Sequence, residues 1–145
     1  MPTMLDLIRK TQAGEIPPPP IAQLIGFRLR SVEPGRVVVE MDAEPRHANP
    51  MGTVHGGVLC DLADAAMGMA YASTLDEGET FTTLELKINF LKPVWTGRLV
   101  ATGRLVKGGR TVGLTECDVM DEKERLVARA SSTLMTLRGE PALGR

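Results

Sequence analysis

The amino-acid sequence predicts an α+β fold in which a curled antiparallel sheet of about five strands wraps around one long buried helix, with a short N-terminal helical segment. Three observations carry this expectation. Residues 56–75 place Val58, Leu59, Leu62, Ala65, Ala66, Met69 and Ala70 at helical spacing, while Ala63, Met67 and Tyr71 fill the remaining face. A helix apolar nearly all round is a buried helix. Thr82, Leu84, Leu86, Ile88 and Phe90 then alternate with Thr83, Glu85, Lys87 and Asn89, the period-two pattern of a strand with one buried face. Finally, the later strands follow one another without intervening helices. That implies antiparallel pairing, and a single buried helix needs such a sheet to curl around it.

The elements follow in order. Met4, Leu5, Leu7 and Ile8 stand among polar residues in a short helix over residues 4–13, which Gly14 and the run Pro17, Pro18, Pro19, Pro20 must end. The four prolines form a stiff, extended connector, and residues 21–26 suit a helical turn. Residues 27–32 and 37–41 read as strands joined by a tight turn at Pro34-Gly35. Pro45, Asn49, Pro50 and Gly52 make residues 44–53 a loop ahead of the long helix. Beyond the strand at 82–90, residues 98–107 and 110–120 form a hairpin around Gly108-Gly109, and residues 126–137 supply the last strand. The organisation is therefore a helix and proline-rich connector over 1–20, one domain over 21–137 and a frayed tail over 138–145.

Composition narrows the partners. The chain has 145 residues with 43% hydrophobic content, enough for one sizeable core and too few for two ordinary domains. Seventeen basic residues against 18 acidic ones leave a net charge of -1, so there is no field to gather nucleic acid or an anionic membrane. With no signal-like leader and no apolar run of about 18 residues, the expected location is the cytoplasm. Cys60 and Cys117 show no metal or disulfide spacing. His47 and His55 are the only histidines; they lack zinc-type spacing with the cysteines, and His47 beside Arg46 reads as a solvated loop residue. No metal is expected.

Asp64 stands out on physical grounds, because its neighbours Ala63, Ala65, Ala66 and Met67 are apolar. Burial there would raise its pKa, and such a carboxylate is either paired by hydrogen bonds or used in chemistry. Asp61 lies one turn earlier, where an acid also gains from the positive end of the helix dipole. His55-Gly56-Gly57 sits where the loop becomes the helix. Its glycines leave N-terminal N–H groups open to a carbonyl oxygen, although a tight turn with a capping histidine explains the same residues. Asn49 by itself is a turn residue.

The run Asn49-Pro50-Met51-Gly52-Thr53-Val54-His55-Gly56-Gly57, followed by Asp64 nine residues after the histidine, resembles the signature of hotdog-fold acyl-CoA thioesterases of the phenylacetate-pathway and human thioesterase-superfamily type. The similarity extends through Thr82 to Pro93. The resemblance implies hydrolysis of an acyl-CoA thioester to free acid and CoA, with Asp64 as general base or nucleophile. It implies that the Gly56 N–H polarises the thioester carbonyl, that His55 supports that carbonyl or the loop, and that Asn49 orients the water. Thr83 matches a Ser or Thr beside the carboxylate, with Thr82 as its competitor because a bulge exchanges their faces. It further implies a homodimer with shared active sites, the carboxylate and the Asn-His-Gly group coming from opposite subunits, and dimers that pair again into a homotetramer. No cofactor is implied, since coenzyme A arrives with the substrate.

Coenzyme A carries phosphates, for which Lys107, Gly108, Gly109, Arg110 and Thr111 are candidate contacts; the same residues also suit a plain hairpin turn. Lys92 and Arg46 are further candidates. Met67, Met69 and Tyr71 are candidates for an acyl pocket, or else core. Two other readings share the fold, a non-catalytic acyl-CoA-binding protein and a hydratase or dehydratase. The Asn49, His55, Gly56 and Asp64 set argues against the first, and against the second the His55-Gly56-Gly57 run resembles the thioesterase arrangement more closely.

Overall fold

A computed structural model describes residues 1–144, so the final residue of the expected tail, Arg145, lies outside the described residues. Thr3 caps the first helix, α1 (Met4–Gln12), through a reciprocal box with Asp6. The second, α2 (Pro20–Ile25), starts on the fourth proline, so the extended connector ends one residue earlier than the sequence suggested. Proline suits that first position because its missing N–H would have no helical partner there. Strands β1 (Phe27–Glu33) and β2 (Arg36–Ala43) form the expected hairpin, with Gly35 at φ +79° in the turn.

The long helix α3 (Gly56–Ala72) begins where the sequence placed it and stops three residues short. The Ser73 and Thr74 hydroxyls donate to the carbonyls of Ala70 and Tyr71, both at 2.7 Å, and so take over the last helical acceptors. Four strands follow, β3 (Thr80–Phe90), β4 (Gly97–Gly108), β5 (Val112–Asp121) and β6 (Leu126–Leu137). The sheet therefore has six strands where about five were expected, one for each of the six segments that the sequence marked as strands. All pairs are antiparallel, in the order β1-β2-β4-β5-β6-β3.

This sheet curls so that all six strands touch α3. Leu59, Leu62, Ala63, Ala66, Met67 and Ala70 meet Val37, Val39, Leu99, Ala101 and Val119 in one core. The helix backbone comes close to β4 at Gly103, where a Cβ would lie 2.4 Å from the Ala66 carbonyl. Only glycine permits that approach. The convex face alternates charges instead, with Arg28 to Glu40 at 3.0 Å and Arg129 to Asp118 at 2.7 Å. Exposed pairs of this kind add little stability and keep the face wet.

Two inward-outward expectations fail at β3. Leu84 and Phe90 were expected on the buried face, and both are 54% exposed. The pairing with β6 slips between Thr83 and Glu85, leaving Leu84 as an extra residue. That bulge changes the phase: Thr83 faces the helix side before it, Leu86 and Ile88 after it, while Phe90 keeps the phase of Ile88 and is exposed because it lies over Gly56 at the very start of α3. His47 is buried rather than solvated: its Nδ1 accepts from the Glu44 N–H at 3.0 Å and its Nε2 contacts the Ile25 carbonyl at 2.7 Å. The tail is also ordered at its start, since the Arg138 guanidinium pairs with Glu79 and donates to the Arg110 carbonyl, ahead of a short 3-10 turn at Glu140–Ala142.

Candidate active site

The face of α3 turned away from the sheet carries Asp61, Asp64, Ala65, Gly68 and Met69, and these residues form one wall of a largely apolar cavity of about 380 Å³. Phe81 and Thr83 of β3 and Phe27 of β1 complete it from the sheet side. Asp64 was expected to be buried; its side chain is exposed at this cavity. The reason is the helical angle, because Leu62, Ala63, Ala66 and Met67 occupy the sheet side and leave Asp64 outside. The protein packed on its other side hinders hydration, and Asp61 adds like charge, so the Asp64 carboxyl lies above the ordinary carboxylate value. Among the described residues no side chain or N–H hydrogen-bonds to it.

The His55-Gly56-Gly57 run lies at the N-terminus of α3. His55 is the N-cap, and its Nδ1 accepts from the Gly57 N–H at 2.8 Å. With Nδ1 accepting, the proton of the neutral ring sits on Nε2. The Gly56 N–H has no acceptor among the described residues, as the geometry of a helix start leaves it. Above it sits the Phe90 ring, whose Cζ would lie 2.9 Å from a Cβ at position 56.

Asn49 shapes the loop. Its Oδ1 accepts from the N–H groups of Met51 and Thr53, and its Nδ2 donates to the Thr53 hydroxyl at 2.8 Å. One amide hydrogen of Asn49 is left over for another acceptor. The loop is held down where Val54 donates to the Val94 carbonyl at 2.7 Å and His55 to that of His47 at 2.8 Å.

Within one chain these groups do not converge. Asp64 is eight residues beyond Gly56 on the same helix, about 12 Å along its axis. Thr83, unlike Thr82, lines the cavity beside Asp64. Lys107 to Thr111 lie at the β4–β5 turn, toward the other end of α3, where Tyr71 packs on Gly113. Arg110 is exposed. Lys92 is held by Asp121 at 3.2 Å and Arg46 by Glu44 at 2.8 Å. Of the three acyl-pocket candidates only Met69 lines the cavity; Met67 is core, and Tyr71 is buried with its hydroxyl 2.7 Å from that of Thr136.

Sequence reasoning missed the N-terminal contribution. Leu7, Ile8 and Thr11 of α1 and Pro18 and Pro19 of the connector also line the cavity. The signal was the apolar spacing of Met4, Leu7 and Ile8, which requires a surface to cover. Among the described residues no three His, Cys, Asp or Glu side chains gather as a metal site, and no helix is long and apolar enough to cross a membrane.

The model of the thioesterase superfamily matches residues 51–128. The chain belongs to the thioesterase superfamily. It is 29% identical to 1,4-dihydroxy-2-naphthoyl-CoA hydrolase of Listeria monocytogenes, across 79% of this chain and 93% of that one. Human acyl-coenzyme A thioesterase 13 is 32% identical, across 72% of this chain and 76% of that one. A solved structure from Ralstonia eutropha, described as a phenylacetic acid degradation-related protein, superposes with a TM-score of 0.81 at 32% identity, covering 88% of this chain and 98% of that one. This superfamily member has the hotdog fold and is an enzyme of the thioester hydrolase class. The matched stretch contains His55, Gly56, Asp64 and Thr83 of the superfamily chain, whereas Asn49 and all of α1 and α2 precede it.

Proposed function

We propose that this thioesterase hydrolyses acyl-CoA thioesters, with Asp64 of one subunit and the Gly56 N–H of another acting on the same substrate. The observation that carries the reading is that both groups are uncommitted and stand about 12 Å apart on one helix, too far to share a carbonyl within one chain. A second copy is then part of the site. The long edge of β3 supports this, since β3 pairs only with β6 and leaves its other side open next to exposed Leu84, Phe90 and Leu91. Dimers formed there pair again into tetramers.

In the reaction, the thioester oxygen accepts the Gly56 N–H, with the positive end of α3 favouring the charge that develops on it. The Asp64 carboxylate takes a proton from water as the water oxygen bonds to the carbonyl carbon. The tetrahedral species expels the CoA thiolate, and the proton held by Asp64 passes to sulfur. A carboxylate with a raised pKa is a better base near neutrality than an ordinary one. Direct attack by Asp64 gives an anhydride that water then opens, with the same products. Asn49, through its spare amide hydrogen, orients the water; Thr83 supports the carboxylate; His55 holds the loop through Gly57. The Lys107 to Thr111 turn receives CoA phosphates, and its distance from Gly56 in one chain means that the contacting turn is set by the assembly.

The 1,4-dihydroxy-2-naphthoyl-CoA hydrolase and acyl-coenzyme A thioesterase 13 relatives support coenzyme A as the thiol. Thiol release measured over aryl-acetyl, hydroxylated aromatic and medium-chain CoA thioesters tests the assignment. Turnover of at least one class is expected, and none with any class would contradict it.

A further inference from the structure

The cavity that holds Asp64 is closed on one side by a segment that the superfamily model does not include. Leu7, Ile8 and Thr11 of α1, Pro18 and Pro19 of the connector and Ile21 of α2 line it, and all precede residue 51, where the match begins. This segment is fixed to the body of the protein at several points. Gln12 Nε2 donates to the Arg30 carbonyl at 2.9 Å, and the N-terminal ammonium pairs with Glu77 at 2.7 Å. Met4 packs against the cluster of Tyr71, Leu75 and Leu134. Ile8 is buried.

Asp64, Gly68 and Met69 follow one another along the opposite wall, spanning about 7.5 Å of helix. Gly68 lets the Phe81 ring pack close beside this path, since a Cβ there would come within 3.3 Å of that ring. The path runs toward the C-terminal end of α3, and Met4 anchors α1 against Tyr71 at that same end. The volume of about 380 Å³ lies near the lower limit for ligand sites, about 300–1,000 Å³.

We propose that α1 is the far wall of the acyl pocket and sets the upper length of the acyl group, so that Leu7 and Thr11 select compact acyl chains over long straight ones. The proposal rests on the thioesterase reading above, in which the acyl carbonyl lies beside Asp64. It concerns selectivity and not the chemical step, so its signature is a change in the ratio of long to short substrates and not a loss of turnover.

The test is kcat/KM for butanoyl-CoA and dodecanoyl-CoA with the wild-type protein, Leu7→Ala and Thr11→Phe. Leu7→Ala enlarges the cavity at its α1 wall and is expected to raise the dodecanoyl to butanoyl ratio roughly tenfold; Thr11→Phe narrows it at the same wall and is expected to lower the ratio by a similar factor. Ratios that stay within about twofold of wild type in both variants, with melting temperatures showing that they are folded, would overturn the proposal. Titration calorimetry of the same two thioesters separates this failure from failure of the hydrolysis reading. If wild type releases no thiol, a length preference in binding that shifts in Leu7→Ala retains the wall; binding without a shift, or no binding, removes it.

Discussion

Gly56 and Asp64 lie on one helix, about 12 Å apart along its axis, each with a group that has no hydrogen-bond partner among the described residues. The N–H of Gly56 emerges from the first turn of α3 beneath Phe90, and the Asp64 carboxylate opens two turns later on the cavity. A rigid helix fixes that separation, so no side-chain rotation brings the two onto one thioester carbonyl. Four variants and one mixing experiment follow from this arrangement and from the packing that maintains it.

Gly56→Pro removes the N–H proposed to polarise the thioester while respecting the backbone. Gly56 is the first helical residue, where proline is favoured, and His55 at φ -61° and ψ 136° already has the extended conformation that precedes proline. The Phe90 ring must shift, which its exposure allows. Turnover is expected to fall about 10²–10³-fold with an unchanged melting temperature. Gly56→Ala is the control: it displaces Phe90 equally but keeps the N–H, and is expected to retain most activity.

Asp64→Asn is expected to lower kcat about 10²–10⁴-fold while leaving the fold intact. Because the folded carboxyl lies above its unfolded value, ionised Asp64 costs stability at neutral pH. The variant is therefore expected to melt at a higher temperature than wild type at pH 7, with the difference vanishing below about pH 4. In the wild-type enzyme kcat/KM is expected to rise with pH through a value above the ordinary ~3.9 of an aspartate. A variant less stable than wild type at pH 7 would contradict the assigned environment.

Gly103→Ala tests the close contact of helix and sheet. The new Cβ meets backbone atoms of Ala66 and Met67 at 2.4 and 2.7 Å, and backbone cannot rotate aside. A loss of about 1–3 kcal/mol or more is expected in denaturant unfolding.

Asp121→Asn tests the β5–β6 turn. Burial alone would raise this carboxyl, but bonds from the Arg125 N–H, Lys92, the Arg125 guanidinium and the Lys123 N–H hold it well below the usual range. Its stabilisation is thus present above about pH 4 and is lost as pH falls toward the folded value. The variant is expected to melt below wild type at pH 7, and the gap to narrow in acid.

The sequence was most legible where a periodic pattern met an unambiguous stop. Strand β6 runs over Leu126–Leu137, the bounds read from the sequence after the charged turn, and α3 starts at Gly56, where the loop was read to end. It was least legible where tertiary packing decided the outcome. The bulge at Leu84 depends on the register with β6, which no local pattern of β3 reveals. His47 looked solvated beside Arg46, yet the carbonyl that its ring contacts belongs to Ile25 in a distant helix. Asp64 was singled out for its apolar sequence neighbours, and the pKa direction argued from them stands. Its exposure escaped notice because an apolar helix face can line a cavity as well as a core. The role of α1 was hidden for the same reason: Leu7 and Ile8 announced a surface to cover, but not which one.

Mixing Asp64→Ala and Gly56→Pro subunits tests the central claim most directly. Each parent is expected to be nearly inactive. After subunit exchange, half of the dimers are mixed, and each mixed dimer holds one site with an intact Asp64 from one chain and an intact Gly56 N–H from the other. Activity is expected to recover to about a quarter of wild type. A mixture no more active than its parents, with exchange verified, would show that the two groups do not serve one site from different subunits.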